Sequence, residues 1–195
     1  MNAHPEPDGL SDIKLPITEV KGPWYRVHEK AYGPLYFGKS QRNRFDCPSG
    51  SFGVLYLSQK LEGAFIETFG HETGNRFVQM SELETRAYSI VESSRPLRLV
   101  DLRGPGLARI GADGRLCAGD RNLAGRWSSG FYNHADKPDG IYFRARHDLD
   151  EMCSAVFHRV EPLLNVVETV GLSDDSILLR MVELLEHYDF GIYPS

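Results

Sequence analysis

Arg26, Arg44, Tyr56 and Glu67 are the residues whose types and spacing offer chemistry, and three of them fall in one short piece of chain. That piece, Arg42 to Phe69, reads R-N-R-F-D-C-P-S-G-S-F-G-V-L-Y-L-S-Q-K-L-E-G-A-F-I-E-T-F. A basic loop, a buried strand and a helix bearing one carboxylate follow one another along it. Guanidinium forks and loop amides can hold phosphate oxygens. A carboxylate in an apolar frame can stabilise a cation that develops during reaction. Such a set suits electrostatic catalysis better than nucleophilic catalysis: it can bind a dinucleotide and break a glycosidic bond.

Each of these residues also has a plainer reading. Arg26 belongs to W-Y-R-V-H, an aromatic and β-branched run that predicts a strand from Trp24 to His28. On a period of two, Trp24, Arg26 and His28 share one face and Tyr25 and Val27 the other. By pattern alone Arg26 is a solvated strand charge or an arginine aimed into a cleft. Glu67 stands at the border of a helical stripe formed by Leu61, Ala64, Phe65 and Phe69, so it reads equally as an ordinary amphipathic-border glutamate. Lys39, Arg42 and Arg44 lie in a segment kept irregular by Gly38, Pro48 and Gly50.

Other chemistries lack their residues. The seven histidines form no H-E-x-x-H pair, so no zinc hydrolase is indicated. A G-x-S-x-G elbow and a G-K-S/T phosphate loop are both missing. Gly104 to Gly111, G-P-G-L-A-R-I-G, only superficially resembles a dinucleotide-binding turn, because Arg109 stands where the third glycine is required. Arginines, tyrosines and one semi-buried glutamate remain. They fit cleavage of the nicotinamide bond of NAD+, whose leaving group departs neutral and whose transition state carries positive charge on the ribose.

With 195 residues, 41% hydrophobic and 25% charged, the chain can bury a sizeable core in one domain. A formal charge of -5 disfavours sequence-independent nucleic-acid binding, which needs many cations on phosphates. Cys47, Cys117 and Cys153 read as free thiols of a reducing compartment. The N-terminus lacks a signal-peptide pattern and no apolar run reaches ~20 residues, so the expected location is the cytoplasm, with no membrane partner.

The elements that must position the candidate residues follow from pattern. Residues 1–13 are polar and carry Pro5, Pro7 and Gly9, which predicts a mobile arm ahead of one domain over 14–195. F-G-V-L-Y-L over 52–57 is an apolar strand, and Ser58 can cap the helix after it. Strands are further predicted at 86–92, 96–102, 141–147, 154–159 and 163–170, a short turn at 81–84, and helices at 122–134 and 173–187. The last helix should bury Ile177, Leu178, Met181, Leu184 and Leu185. Strands and helices do not alternate regularly, so the fold class is α+β around a mixed or antiparallel sheet.

Several pieces together resemble the RES-domain proteins, commonly the toxin half of bacterial RES–Xre toxin–antitoxin pairs. They are W-Y-R-V-H, N-R-F-D-C-P-S-G-S-F-G-V-L-Y-L-S with A-F-I-E-T-F, then W-S-S-G-F-Y-N-H, D-G-I-Y-F-R-A-R-H-D and A-V-F-H-R, from about Trp24 to Arg159. The resemblance implies an ADP-ribosyltransferase-like fold, NAD+ as substrate, no metal, and an Xre/ParS-like antitoxin as partner. It places the family's catalytic arginine on Arg26, its loop arginine on Arg44, its tyrosine on Tyr56 and its glutamate on Glu67, with Tyr36 as a further lining residue. The family's serine falls on Ala145, and Ser128 or Ser129 is the nearby hydroxyl that stands in for it, so Ser128 is expected to touch the dinucleotide. Loss of a hydroxyl at 145 disfavours phosphorolysis, and the expected reaction is transfer of ADP-ribose to a protein. NAD+ phosphorolysis or hydrolysis, and a non-catalytic binding module, are the alternatives.

Overall fold

Apolar runs of four to eight residues dominate the middle of the chain, and they pair into one eight-stranded sheet. The structure is a computed structural model and describes residues 9–72 and 74–193. Its strands are β1 (Ile17–Val20), β2 (Trp24–Glu29), β3 (Val54–Ser58), β4 (Phe77–Gln79), β5 (Arg86–Ser93), β6 (Leu97–Asp101), β7 (Gly140–Arg144), β8 (Met152–Phe157), β9 (Leu164–Gly171) and β10 (Gly191–Tyr193). Its helices are α1 (Leu61–Phe69), α2 (Met80–Thr85), α3 (Pro105–Arg109), α4 (Arg115–Ala118), α5 (Arg121–Asn133) and α6 (Leu178–His187). The large sheet runs β1-β6-β7-β8-β3-β2-β5-β9, antiparallel except for β6 beside β7, while β4 and β10 form a separate parallel pair. A mixed, mostly antiparallel sheet with flanking helices is thus the architecture that the sequence pattern implies.

The faces of β2 separate as its period of two requires. Trp24 packs with Leu55, Leu57, Val91 and Leu99, whereas Tyr25 and Val27 join α1 and α6 on the opposite side. Helix α1 lies on the sheet through Leu61, Ala64, Phe65 and Ile66, and the Leu, Phe and Ile side chains contribute roughly 1.5–3 kcal/mol each when fully buried. Gly63 permits this close approach: a Cβ there would meet Ser58 Oγ at 2.2 Å. Helix α5 buries Leu123, Trp127 and Phe131 in a third cluster with Phe45, Phe52 and Phe143.

Several predicted details change. The first eight residues of the expected mobile arm lie outside the described residues, and its remainder is anchored, because Leu10 starts a 3-10 turn and enters the core. Ser58 does not cap α1; Lys60 holds the cap position, and Ser58 Oγ instead bonds Met152 O and the Lys60 amide. The strand expected over 141–147 ends at Arg144, so Ala145, Arg146 and His147 turn into a loop. Leu178 is 60% exposed: a 3-10 turn at Asp175–Ile177 points Ile177 inward and leaves Leu178 on the outer side of α6.

Candidate active site

Strands β2 and β3 share a single ladder pair, Tyr25 with Ser58. Beyond it they diverge, with Arg26 and Val27 on one arm and Leu57 and Tyr56 on the other, and a cleft of about 320 Å³ opens between them. Helix α1 adds Gly63, Ala64, Glu67 and Thr68; the loops and neighbouring strands add Arg42, Asn43, Arg44, His71, Arg86, Arg121, Arg146 and His147. Six arginines and one carboxylate therefore line one cavity. Such a field attracts an anionic ligand although the whole chain is acidic.

Arg26 is mostly buried, and Nη1 donates to Pro34 O at 2.6 Å. Burial pulls its pKa down to about 10, which leaves it a cation at neutral pH. Arg44 Nη1 donates to Gly119 O at 2.8 Å, and Arg121 Nη1 donates to Arg42 O at 3.0 Å. These two bonds tie the basic loop to the α4–α5 segment. Burial, and then the neighbouring Arg146, lower the Arg44 pKa.

The loop itself is organised by Asp46, which the sequence reading did not single out. Asp46 is buried and accepts from Ser40 Oγ at 3.4 Å, Asn43 N at 3.1 Å, Asn43 Nδ2 at 3.3 Å and Tyr56 Oη at 3.1 Å. Tyr56 Oη in turn accepts from Phe45 N at 2.9 Å. Burial, followed by the Asp46 charge, pushes the Tyr56 phenol well above its usual range, so it stays protonated. Tyr56 lines the cleft with its ring and holds the Arg44 loop with its hydroxyl.

Glu67 faces the cleft from α1. Its Oε1 accepts two main-chain donors, Arg146 N at 2.7 Å and His147 N at 3.3 Å. Carboxylates that accept backbone amides are fixed without needing a particular side chain. The loop that offers these amides is braced by Ala145 N to Glu151 O at 2.9 Å, by Arg144 to Leu149 O, by Tyr188 Oη to Asp148 Oδ2 at 3.0 Å, and by the Lys60 to Glu151 ion pair at 2.7 Å. The rings of His71 and His147 meet edge-on beside it at 5.7 Å, and burial lowers the His147 pKa.

The structure brings Arg26, Arg44, Tyr56 and Glu67 to one cavity and leaves Ser128 out of it. Ser128 is fully buried on the inner side of α5, its hydroxyl closed off from solvent, and it is not a cleft-lining residue. Ser129 bonds Gly125 O within the same helix. Ala145 is also fully buried and sits in the core cluster with Phe143. Tyr36 is exposed and stacks on Tyr32, outside the cavity lining. Arg86, Arg121, Arg146, His71 and His147 are lining residues that sequence reasoning missed. Among the described residues no group of three or more His, Cys, Asp or Glu side chains is placed to hold a metal ion.

A family model, described as the RES domain, matches residues 23–177. The chain belongs to the RES-domain family. This RES domain is 35% identical over 99 residues to a protein named probable toxin y4kH of Sinorhizobium fredii strain NBRC 101917 / NGR234, across 50% of this chain and 76% of that one. Its fold is similar to that of a chain in the crystal structure of the M. tuberculosis MbcT–MbcA toxin–antitoxin complex. The TM-score is 0.64 at 16% identity, over 92% of the RES protein and 98% of the other chain. No helix among the described residues is long and apolar enough to cross a membrane.

Proposed function

We propose that this RES domain is a toxin enzyme that depletes NAD+ by cleaving its nicotinamide–ribose bond and passing ADP-ribose to a small acceptor, water or phosphate. The observation that carries the reading is Glu67, pinned by two backbone amides in a cleft lined by six arginines. The C1''–N bond breaks with its electron pair leaving on nicotinamide, which departs neutral. Glu67 faces the positive ribose, and the acceptor oxygen then bonds to the same carbon. A water acceptor must also release a proton, and Glu67 can take it. Arg26 and Arg44 hold the diphosphate, and the Tyr56 ring bounds the nicotinamide side. The mixed, mostly antiparallel sheet and the RES-domain membership support taking the fold as ADP-ribosyltransferase-like.

Transfer to a protein, the reaction expected from Ala145, loses its support. Position 145 lies in the core and does not line the cleft, so the residue there says nothing about the acceptor. His71, His147 and Glu67 line the same cleft, whose volume of about 320 Å³ supports the choice of a small acceptor. The resemblance to y4kH and to the MbcT–MbcA complex supports a toxin role with an antitoxin partner, for which an Xre-like protein covering the arginines is the reading we adopt.

The test is nicotinamide release from NAD+ by the pure protein, with and without phosphate, followed by mass analysis of the product. Free ADP-ribose marks water, ADP-ribose 1''-phosphate marks phosphate, and a labelled polypeptide would mark protein transfer and overturn the small-acceptor reading. Glu67→Gln keeps the shape and removes the charge; it should lower the rate on the order of a hundredfold or more. Wild-type turnover by that variant would remove Glu67 from the mechanism.

A further inference from the structure

Of the cleft arginines, Arg26, Arg44 and Arg121 each give one guanidinium nitrogen to a main-chain carbonyl, at 2.6, 2.8 and 3.0 Å. Arg42 and Arg146 are exposed, where water serves as acceptor. Arg86 fits neither group. Its side chain is 23% exposed, and its nearest ionic partner, Glu29, stands 3.8 Å away, beyond hydrogen-bond length. Its Nε is buried with no partner, and its guanidinium lies 5.7 Å from the centre of the Phe69 ring. Burying a guanidinium N–H without an acceptor costs free energy, and native structures rarely leave one so. A ring face supplies attraction but no hydrogen-bond acceptor that matches the planar fork.

The position of Arg86 indicates what would satisfy it. It opens β5, opposite Glu29, while Arg26 lies opposite Ser89. The two arginines are thus three ladder positions apart, about 10 Å along the strands. Arg86 lines the same cleft as Arg26 and Glu67, reaching it from β5 on the face of Tyr25, Val27 and helix α1. We propose that Arg86 is a ligand-binding residue that takes a phosphate oxygen of the bound nucleotide, swinging from its loose contact with Glu29 to do so. This rests on the reading of the cleft as an NAD+ site and adds an anchor to it. Glu29 acts as a placeholder for the anion, weak enough to be displaced.

The experiment is calorimetric titration of the whole protein with ADP-ribose, which carries both phosphates and lacks the scissile bond. Arg86→Gln should weaken ADP-ribose at least tenfold and flatten the dependence of affinity on salt. Arg86→Lys should recover part of the loss, because the charge returns without the planar fork. Glu29→Gln, which leaves every arginine in place, should tighten ADP-ribose two- to threefold and reports on the proposal even if the Arg86 variants fold poorly. An Arg86→Gln protein that binds ADP-ribose within twofold of wild type, or a Glu29→Gln protein whose affinity is unchanged or lower, overturns the assignment and leaves NAD+ cleavage intact. Wild-type protein that neither binds ADP-ribose nor releases nicotinamide overturns both.

Discussion

The two loops that furnish the cleft are built on opposite plans. The arginine loop, between Gly38 and Gly53, converges on one side chain, Asp46, which gathers a serine hydroxyl, an asparagine amide, a backbone N–H and the Tyr56 hydroxyl. The loop from Ala145 to Glu151 offers Glu67 only its backbone, through two amides, and is braced around its edges by several separate contacts. A hub of side chains is lost with one substitution. A cradle of amides survives changes to the residues that carry it, so Glu67 sits on the more mutation-tolerant of the two supports.

Asp46→Ala should show the largest difference, because it leaves several donors of a buried cluster unmet at a cost of about 1–3 kcal/mol each before relaxation. Denaturant titration should show a loss of about 2 kcal/mol or more, and the KM for NAD+ should rise more steeply than kcat falls, since Arg44 is released from its place. Tyr56→Phe keeps the ring and removes one hydroxyl, which strands the Phe45 amide. A stability loss of about 1 kcal/mol with a several-fold rise in KM is expected, and an unchanged KM would mean that the hydroxyl does not position the loop.

The pH response sharpens the contrast further. Burial raises the Asp46 carboxyl above its usual range in the folded protein. A raised folded pKa means that the folded state binds the proton more tightly than the unfolded chain. The contribution of this group to stability is therefore complete below the ordinary aspartate range and falls as pH rises through the folded value. Denaturant midpoints measured across acidic pH should show that slope in the wild type and a shallower one in Asp46→Asn.

Arg146→Ala tests the amide cradle and should have the smallest effect. The main-chain donor to Glu67 remains, so kcat should stay within about threefold, with any loss confined to KM through one fewer surface cation. A fall in kcat comparable to that of Glu67→Gln would show that the side chain, and not the backbone, fixes the carboxylate.

Much of this was legible in the residues, and unevenly so. Local periodicity is strong in β2, β3 and α1, and these elements carry Arg26, Tyr56 and Glu67, so that part of the cleft lining could be read from short segments. Strands β1, β4 and β10 are three or four residues long and exist because distant partners pair with them, which no local window reveals. Asp46 stood in plain view within N-R-F-D-C-P, but only the fold brings Ser40, Asn43 and Tyr56 to one carboxylate. Arg86 had no local signal at all; its link to the cleft is the ladder that sets it opposite Glu29. Ser128 shows the reverse case, a hydroxyl close in sequence to the expected motif whose helix turns it into the core, away from the cleft lining.

The single pair between Tyr25 and Ser58 also has a mechanical meaning. One ladder contact joins a five-stranded part, β1 to β3 in sheet order, to the three-stranded part formed by β2, β5 and β9. Any ligand that grips Arg26 on one side and the Arg44 loop on the other works as a rivet across that seam. Its binding free energy then counts toward cohesion of the fold, and each tenfold excess over the dissociation constant adds about 1.4 kcal/mol. On the proposed function, a protein of this design is hardest to unfold while its substrate is abundant and loosens as the supply runs out.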